Sequence, residues 1–214
     1  YFKNIIKKIS NIIKKNDDVM EIGSYYGAFG SEIKDKVNSY TGLELSKHAL
    51  QYSKDKFNLN VINKSIYDYF KNSDKKFDII FMFDVLEHLD DPDSVINLCS
   101  NKLKKNGKLI LSTMNMNSIF AKMTGKYYPW IIPMHKFYFS DDSIKKFLDK
   151  NDLFLKNIIG DVRIISLEYL FLKISQKISI FKNFYNLLMK FESIKNISIK
   201  FSLFDINIYC AYKK

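Results

Sequence analysis

Two carboxylates and a run of glycines carry the first sign of chemistry in this chain. The stretch Val19-Met20-Glu21-Ile22-Gly23-Ser24-Tyr25-Tyr26-Gly27-Ala28-Phe29-Gly30 is apolar up to Glu21 and then enters a glycine-rich turn. Glycine lacks a Cβ, so the backbone can bend sharply at such positions and a ligand can approach it closely. A helix starting near Ala28 would aim its free N–H groups into the turn. Dinucleotide turns follow G-x-G-x-x-G, whose second glycine leaves room for a pyrophosphate. Tyr25 occupies that place here. The spacing acidic-x-Gly-x-x-x-Gly instead suits a ligand with an ammonium group that Glu21 can meet. Glu44 ends the next apolar stretch, Tyr40-Thr41-Gly42-Leu43-Glu44. At that point of a doubly wound sheet a carboxylate can accept hydrogen bonds from both hydroxyls of a ribose.

A further set of polar residues follows the apolar run Phe77–Phe83, in Asp84-Val85-Leu86-Glu87-His88. Of the three histidines, His48 falls on a helix and is expected at the surface. His88 follows a strand and His135 lies in an aromatic loop, so both are expected at the mouth of a crevice. Imidazole accepts a proton near neutral pH. Either histidine could be a general base, and either could equally bond a nearby carbonyl or carboxylate.

The elements that must position these groups are legible in the periodicity. Ile5, Ile6, Ile9, Ile12 and Ile13 recur at helical spacing among lysines, predicting an amphipathic helix packed on a sheet. Strands are expected at Val19–Ile22, Tyr40–Glu44, Leu59–Asn63, Phe77–Phe83, Lys108–Thr113 and Leu153–Asp161. Ser46, Asp93 or Ser94, and Asp141 or Ser140 are candidate helix caps. Gly107 is expected to stop the helix that runs through Val95, Ile96, Leu98 and Leu103. Strands alternating with helices imply a parallel sheet with its ligand crevice at the strand carboxyl ends. The unalternating run at Phe77–Phe83 reads as a central strand covered on both faces. Residues 114–140 form an aromatic loop beside that crevice, a natural substrate wall, with Pro129 and Pro133 opposing a regular helix. Residues 164–200 read as an inserted helical segment, with Leu167, Leu170, Phe171, Ile174, Ile178, Phe181, Phe184, Leu188 and Phe191 set among lysines. The whole of 1–214 is expected to be one domain.

The glycine turn with Glu21 resembles motif I of the class I S-adenosylmethionine-dependent methyltransferases. The exit Asp84-Val85-Leu86-Glu87-His88-Leu89, followed by Asp91-Pro92, resembles the strand 4 exit of small-molecule and ubiquinone-pathway O-methyltransferases. The likeness covers roughly residues 15–160. It implies a Rossmann-like, doubly wound and mostly parallel seven-stranded α/β sheet, with an antiparallel last strand at Phe204–Tyr212 and the helical insertion before it. It also implies S-adenosylmethionine as cofactor, with contacts from Glu21, Gly23, Ser24, Tyr25, Gly27, Glu44, Leu45, Phe83, Asp84 and His88, and with adenine held at Ser65 and Ile66. The reaction implied is methyl transfer to a hydroxyl of a small molecule or glycan, such as a sugar or lipid-linked precursor. His88 and His135 are the catalytic candidates. Asp84, Glu87, His88 and His135 resemble a divalent-metal set, which could hold an ion such as magnesium that lowers the acceptor's pKa. A nicotinamide-dependent oxidoreductase and a non-catalytic S-adenosylmethionine-binding protein are the alternatives.

Composition narrows the partners. The formal charge is +11, yet it is almost all lysine, with Arg163 the single arginine, whereas reading of bases and phosphates favours arginine. Nucleic acid is therefore not expected. A role as a lid, a homodimer formed through 164–200, or peripheral contact with a membrane would each give the apolar insertion a covering. Cys99 and Cys210 lack metal-type spacing and suit free thiols in a reducing cytoplasm, and no apolar run is long enough to span a bilayer.

Overall fold

The computed structural model describes residues 2–71, 73–160, 163–168, 171–172, 175, 180–191, 197–201 and 205–214. Its centre is a seven-stranded sheet, built from β1 (Asp18–Ile22), β2 (Ser39–Leu43), β3 (Val61–Ile62), β4 (Phe77–Phe83), β5 (Leu103–Met114), β6 (Leu153–Gly160) and β9 (Ile206–Lys213). The order is β3-β2-β1-β4-β5-β9-β6. The first five strands pair in parallel, and β9 runs antiparallel between β5 and β6. This is the sheet that the sequence implies. Its connection reverses between β1 and β4, and in such sheets the ligand crevice opens at that point.

Helices cover both faces: α1 (Phe2–Lys8), α2 (Ala28–Ile33), α3 (Lys47–Phe57), α4 (Ile66–Lys71), α5 (Pro92–Lys102) and α7 (Asp141–Lys150). Successive strand residues point to opposite faces, and the core divides accordingly. Met20, Ile80, Met82, Leu109 and Leu111 pack with Val95 and Ile96 of α5 and with Ile144 and Leu148 of α7. Val19, Ile79, Phe81 and Ile110 pack instead with Ile5, Ile6, Phe29 and Ile33 of α1 and α2. Every residue of β4 except Asp78 is buried, as expected of a doubly covered central strand.

Several boundaries differ from those the sequence suggests. The first helix ends at Lys8, although Ile9 and Ile12 beyond it are still buried. Strand β3 keeps only two residues. Helix α5 is capped by Asp91, whose carboxylate accepts from Ser94 N at 3.1 Å, with Pro92 in the first turn. It ends at Lys102, so Gly107 lies inside a long β5 and stops nothing. The reason is an ion-pair contact: Lys104, the second residue of β5, meets Asp18 (2.8 Å) and Asp78 (2.7 Å) at the amino ends of the central strands β1 and β4. Ser46 and Ser140 do cap α3 and α7. The aromatic segment holds a short helix, α6 (Ile119–Thr124), begun by Ser118. The insertion contains α8 (Ile180–Leu188), together with an unexpected antiparallel ribbon of β7 (Arg163–Ser166) and β8 (Ser198–Phe201). Phe181, Phe184, Leu187 and Phe191 are exposed, whereas Leu170, Ile174 and Ile178 lie outside the described residues.

Gly27 shows why the turn after β1 requires glycine. Its φ is +78°, and an added Cβ would lie 2.6 Å from Leu59 Cδ1 and 2.7 Å from Ser53 Cβ. Gly27→Ala should lower unfolding free energy by about 2 kcal/mol or more, from left-handed strain and overpacking together. Urea denaturation measures this, and an unchanged midpoint would contradict the account.

Candidate active site

Two hollows open at the carboxyl ends of β1, β4 and β5. The first, of about 380 Å³, is lined by Phe2, Glu21, Gly23, Ser24, Tyr25, Tyr26, Ala28, Glu44, Phe83, Asp84 and Val85. A volume of this size suits a small ligand. Of the expected cofactor contacts, Glu21, Gly23, Ser24, Tyr25, Glu44, Phe83 and Asp84 line it. The others do not. Gly27 packs against Leu59 and Ser53 behind the turn, and Leu45 is exposed. Ile66 is in the core. Ser65 begins α4, its Oγ accepting from Asp68 N at 3.1 Å and donating to Asp68 Oδ2 at 2.6 Å. Serine at a helix start is suited to such capping.

Tyr25 does not plug the hollow. Its backbone is left-handed, with φ 46°, its side chain is 63% exposed, and its N–H donates to Glu44 Oε2 at 2.7 Å. Ser46 N–H donates to the other Glu44 oxygen at 2.7 Å. Two backbone donors therefore hold the Glu44 carboxylate in place, leaving each oxygen further lone pairs for a ligand's hydroxyls.

Glu21 differs. It is 3% exposed and accepts a hydrogen bond from Tyr40 OH, a partner that no local motif announces. Burial pushes its carboxyl up to about 8; the Tyr40 bond opposes the shift and the nearby Glu44 charge adds to it. Beside it, the buried Ser24 Oγ lacks a hydrogen-bond partner among the described residues. A buried carboxyl, an unpartnered hydroxyl and a fixed second carboxylate fit a ligand with an ammonium group and a ribose.

The second hollow, about 170 Å³, is lined by Asp84, Glu87, His88, Met114, Trp130, Ile132, Met134, His135 and Ile206. Asp84 borders both hollows. Its backbone is left-handed at φ 52°, and Ser112 Oγ donates to its Oδ1 at 2.8 Å. His88 and His135, far apart in sequence, meet edge to face with ring centroids 4.7 Å apart. The Nδ1 of His88 lies 3.0 Å from Met134 O, and the Nδ1 of His135 lies 2.8 Å from Trp130 O. A carbonyl only accepts, so each Nδ1 carries the proton in the neutral ring and each Nε2 lone pair is left for other work. Burial holds His135 below the usual imidazole pKa, against the pull of the Trp130 carbonyl. Glu87, buried, accepts from Thr113 Oγ1 at 3.1 Å.

Glu87, His88 and His135 can bring one ligand atom each to within 4.8 Å of one another. Asp84, expected as a fourth ligand, is not in that group, because its carboxylate is turned to Ser112 on the neighbouring strand. Sequence reasoning missed Phe2, Ala28 and Val85 in the first hollow and Ile206 in the second. Ala28 and Val85 fall within the glycine turn and the strand exit, whereas Phe2 and Ile206 come from distant elements that no motif marks.

A reversed parallel sheet with two carboxylates and a glycine turn at its switch point defines a class I S-adenosylmethionine-dependent methyltransferase. A family model described as a methyltransferase domain matches residues 1–155, and the chain belongs to that family. Among curated relatives, the ubiquinone biosynthesis O-methyltransferase of Serratia proteamaculans (strain 568) is 23% identical over 168 residues, covering 73% of this chain and 69% of the relative. The enzyme of the same name from Vibrio atlanticus (strain LGP32) is 26% identical over 118 residues, covering 53% and 49%. The second alignment thus spans about half of that relative. A SAM-dependent methyltransferase from Archaeoglobus fulgidus shares the fold with a TM-score of 0.65 at 17% identity, over 100% of this chain and 95% of that one. Magnesium protoporphyrin IX methyltransferase from Synechocystis PCC 6803, solved with bound SAH, gives a TM-score of 0.63 at 12% identity, over 100% and 82%. Methyltransferase membership replaces the nicotinamide alternative. No helix among the described residues is long and apolar enough to cross a membrane.

The Glu21 shift makes a stability prediction. A carboxyl whose folded pKa is raised from 4.5 to about 8 binds more protons folded than unfolded between those values. Its contribution is full below the lower value and is lost as pH rises toward 8. Unfolding free energies of the cofactor-free protein should fall across that window and should fall less in Glu21→Gln. Parallel wild-type and variant profiles would refute the assignment.

Proposed function

We propose that this methyltransferase moves the methyl group of S-adenosylmethionine to a hydroxyl oxygen of a small molecule bound in the histidine-lined hollow. The observation that carries this reading is Asp84, which borders the carboxylate hollow on one side and the hollow of His88 and His135 on the other. Donor and acceptor would thereby meet at one residue, and proximity of this kind supplies much of the rate of a displacement whose electrophile is already activated.

Glu21, with Ser24 beside it, would receive the cofactor's ammonium end, and Glu44 its ribose hydroxyls. The cofactor supplies a methyl carbon bound to a positively charged sulfur. The acceptor hydroxyl must lose its proton as its oxygen bonds to that carbon. His135, kept neutral by burial and presenting Nε2, is the group suited to receive the proton, and His88 presents the same atom beside it. The same three ligands, Glu87, His88 and His135, also have the donor chemistry for a divalent ion, which would lower the hydroxyl's pKa. The names of the curated relatives support an oxygen acceptor. The apolar wall made by Met114, Trp130, Ile132, Met134 and Ile206 suits the hydrophobic portion of a lipid-linked or ring-bearing molecule.

Two measurements test this. Calorimetry with S-adenosylmethionine should show release of a proton below about pH 8, because the ammonium group favours ionised Glu21. Heats that do not change with the ionisation enthalpy of the buffer would remove Glu21 from the cofactor site. His135→Ala should lower methyl transfer across a panel of hydroxylated acceptors by about a hundredfold or more while cofactor affinity holds, a loss in the range of a general base. Retained turnover would refute the role, and turnover unchanged by a chelator would exclude the ion.

A further inference from the structure

We infer that Asp205 is a positioning residue for His135, acting through Trp130. This rests on the reading of His135 as part of the acceptor site. Asp205 directly precedes β9 and is distant in sequence from every motif described above. Its backbone carbonyl accepts from Asn115 N at 2.7 Å, which fixes it to the chain leaving β5. Its Oδ2 accepts from Trp130 Nε1 at 3.0 Å and from Tyr128 OH at 3.1 Å. Tyr128 is fully buried, its OH also donates to the Asp205 backbone carbonyl at 3.2 Å, and its own carbonyl accepts from Ile131 N at 3.0 Å, so Asp205 ties the turn from 128 to 131 through both its main chain and its carboxylate. The Trp130 carbonyl that this turn presents is the acceptor for His135 Nδ1. Two hydrogen bonds therefore link Asp205 to the imidazole through Trp130, and the second decides which ring nitrogen carries the proton.

The far half of the loop is held elsewhere. Lys136 N and Phe137 N both donate to Glu87 O, at 2.8 and 3.3 Å. The acceptor for His88, the carbonyl of Met134, belongs to this half. Losing the Asp205 carboxylate should then release the Trp130 indole N–H and let its carbonyl shift, while residues 134–137 and His88 stay in place. The expected consequence is selective: His135 stays near its site but loses the carbonyl that keeps Nε2 unprotonated.

The test is nitrogen NMR of the full chain labelled at histidine, at a single alkaline pH, with the His135 signals assigned by comparison with His135→Gln. Wild type should show His135 protonated at Nδ1. Asp205→Ala and Trp130→Phe, which removes the donor N–H together with the pyrrole half of the indole, should each shift His135 toward the Nε2–H form, with His88 and His48 unchanged. Asp205→Asn, which still offers an amide oxygen, should restore most of the wild-type pattern. In the same preparations S-adenosylmethionine affinity should hold while methyl transfer falls about ten- to a hundredfold in Asp205→Ala, the usual size of such outer-contact losses. An unchanged His135 tautomer in the folded variants overturns the inference, and Trp130→Phe carries the test should Asp205→Ala not fold. A shifted tautomer with undiminished methyl transfer would uphold the positioning and instead remove His135 from the acceptor chemistry.

Discussion

Parallel pairing of β1 with β4, Ile22 opposite Met82, is the contact on which the rest of the structure depends. Chain connections depart from this pair in opposite directions, since β2 and β3 lie on one side and β5, β9 and β6 on the other. The elements that follow β1 and β4 cannot both pack over the same spot, so a crevice opens between them. Glu21 lies near the end of one strand and Asp84 just past the end of the other. A shift of one residue in this register would turn Glu21 and its neighbours to the opposite face. The buried alternation of Val19, Met20, Ile79 and Ile80 between two cores forbids such a slip.

The two hollows are built on different physical terms. The first is rigid and electrostatic: Glu44 is held by two backbone N–H groups, and Glu21 is buried against Tyr40. Tyr25 is left-handed without being glycine and stores backbone strain at the turn, whereas Gly23 and Gly27 take the same region without it. The second hollow is assembled from a loop whose aromatic residues are anchored at separate points. Because each imidazole donates to a main-chain carbonyl, the proton-accepting nitrogens are set by backbone path more than by neighbouring charges. That arrangement ties the chemistry of His88 and His135 to how the loop is pinned.

Much of the fold was legible in the chain. Helical spacing of isoleucines, the unbroken apolar run at Phe77–Phe83 and capping serines at 46 and 140 are local signals, and the structure keeps them. The errors lie where a distant charge intervenes. Gly107 reads as a helix stop, but Lys104 pairs with Asp18 and Asp78 at the amino ends of the central strands, and β5 begins before it. The β-ribbon at 163–166 and 198–201 escaped notice because its two strands are separated by the whole insertion.

By itself the sequence determined the alternation of strands and helices, the glycine turn after Glu21 and the presence of a second carboxylate at Glu44. These depend on periodicity and on steric limits between near neighbours, which a chain carries wherever it folds. Only the tertiary structure decided that Tyr40 would face Glu21, that Asp84 would turn to Ser112 and border two hollows, and that His88 and His135 would meet with Nε2 free. Those outcomes follow from strand register and from loops anchored across long stretches of chain, where a hydrogen-bond partner is chosen by proximity in space and leaves no trace in local spacing.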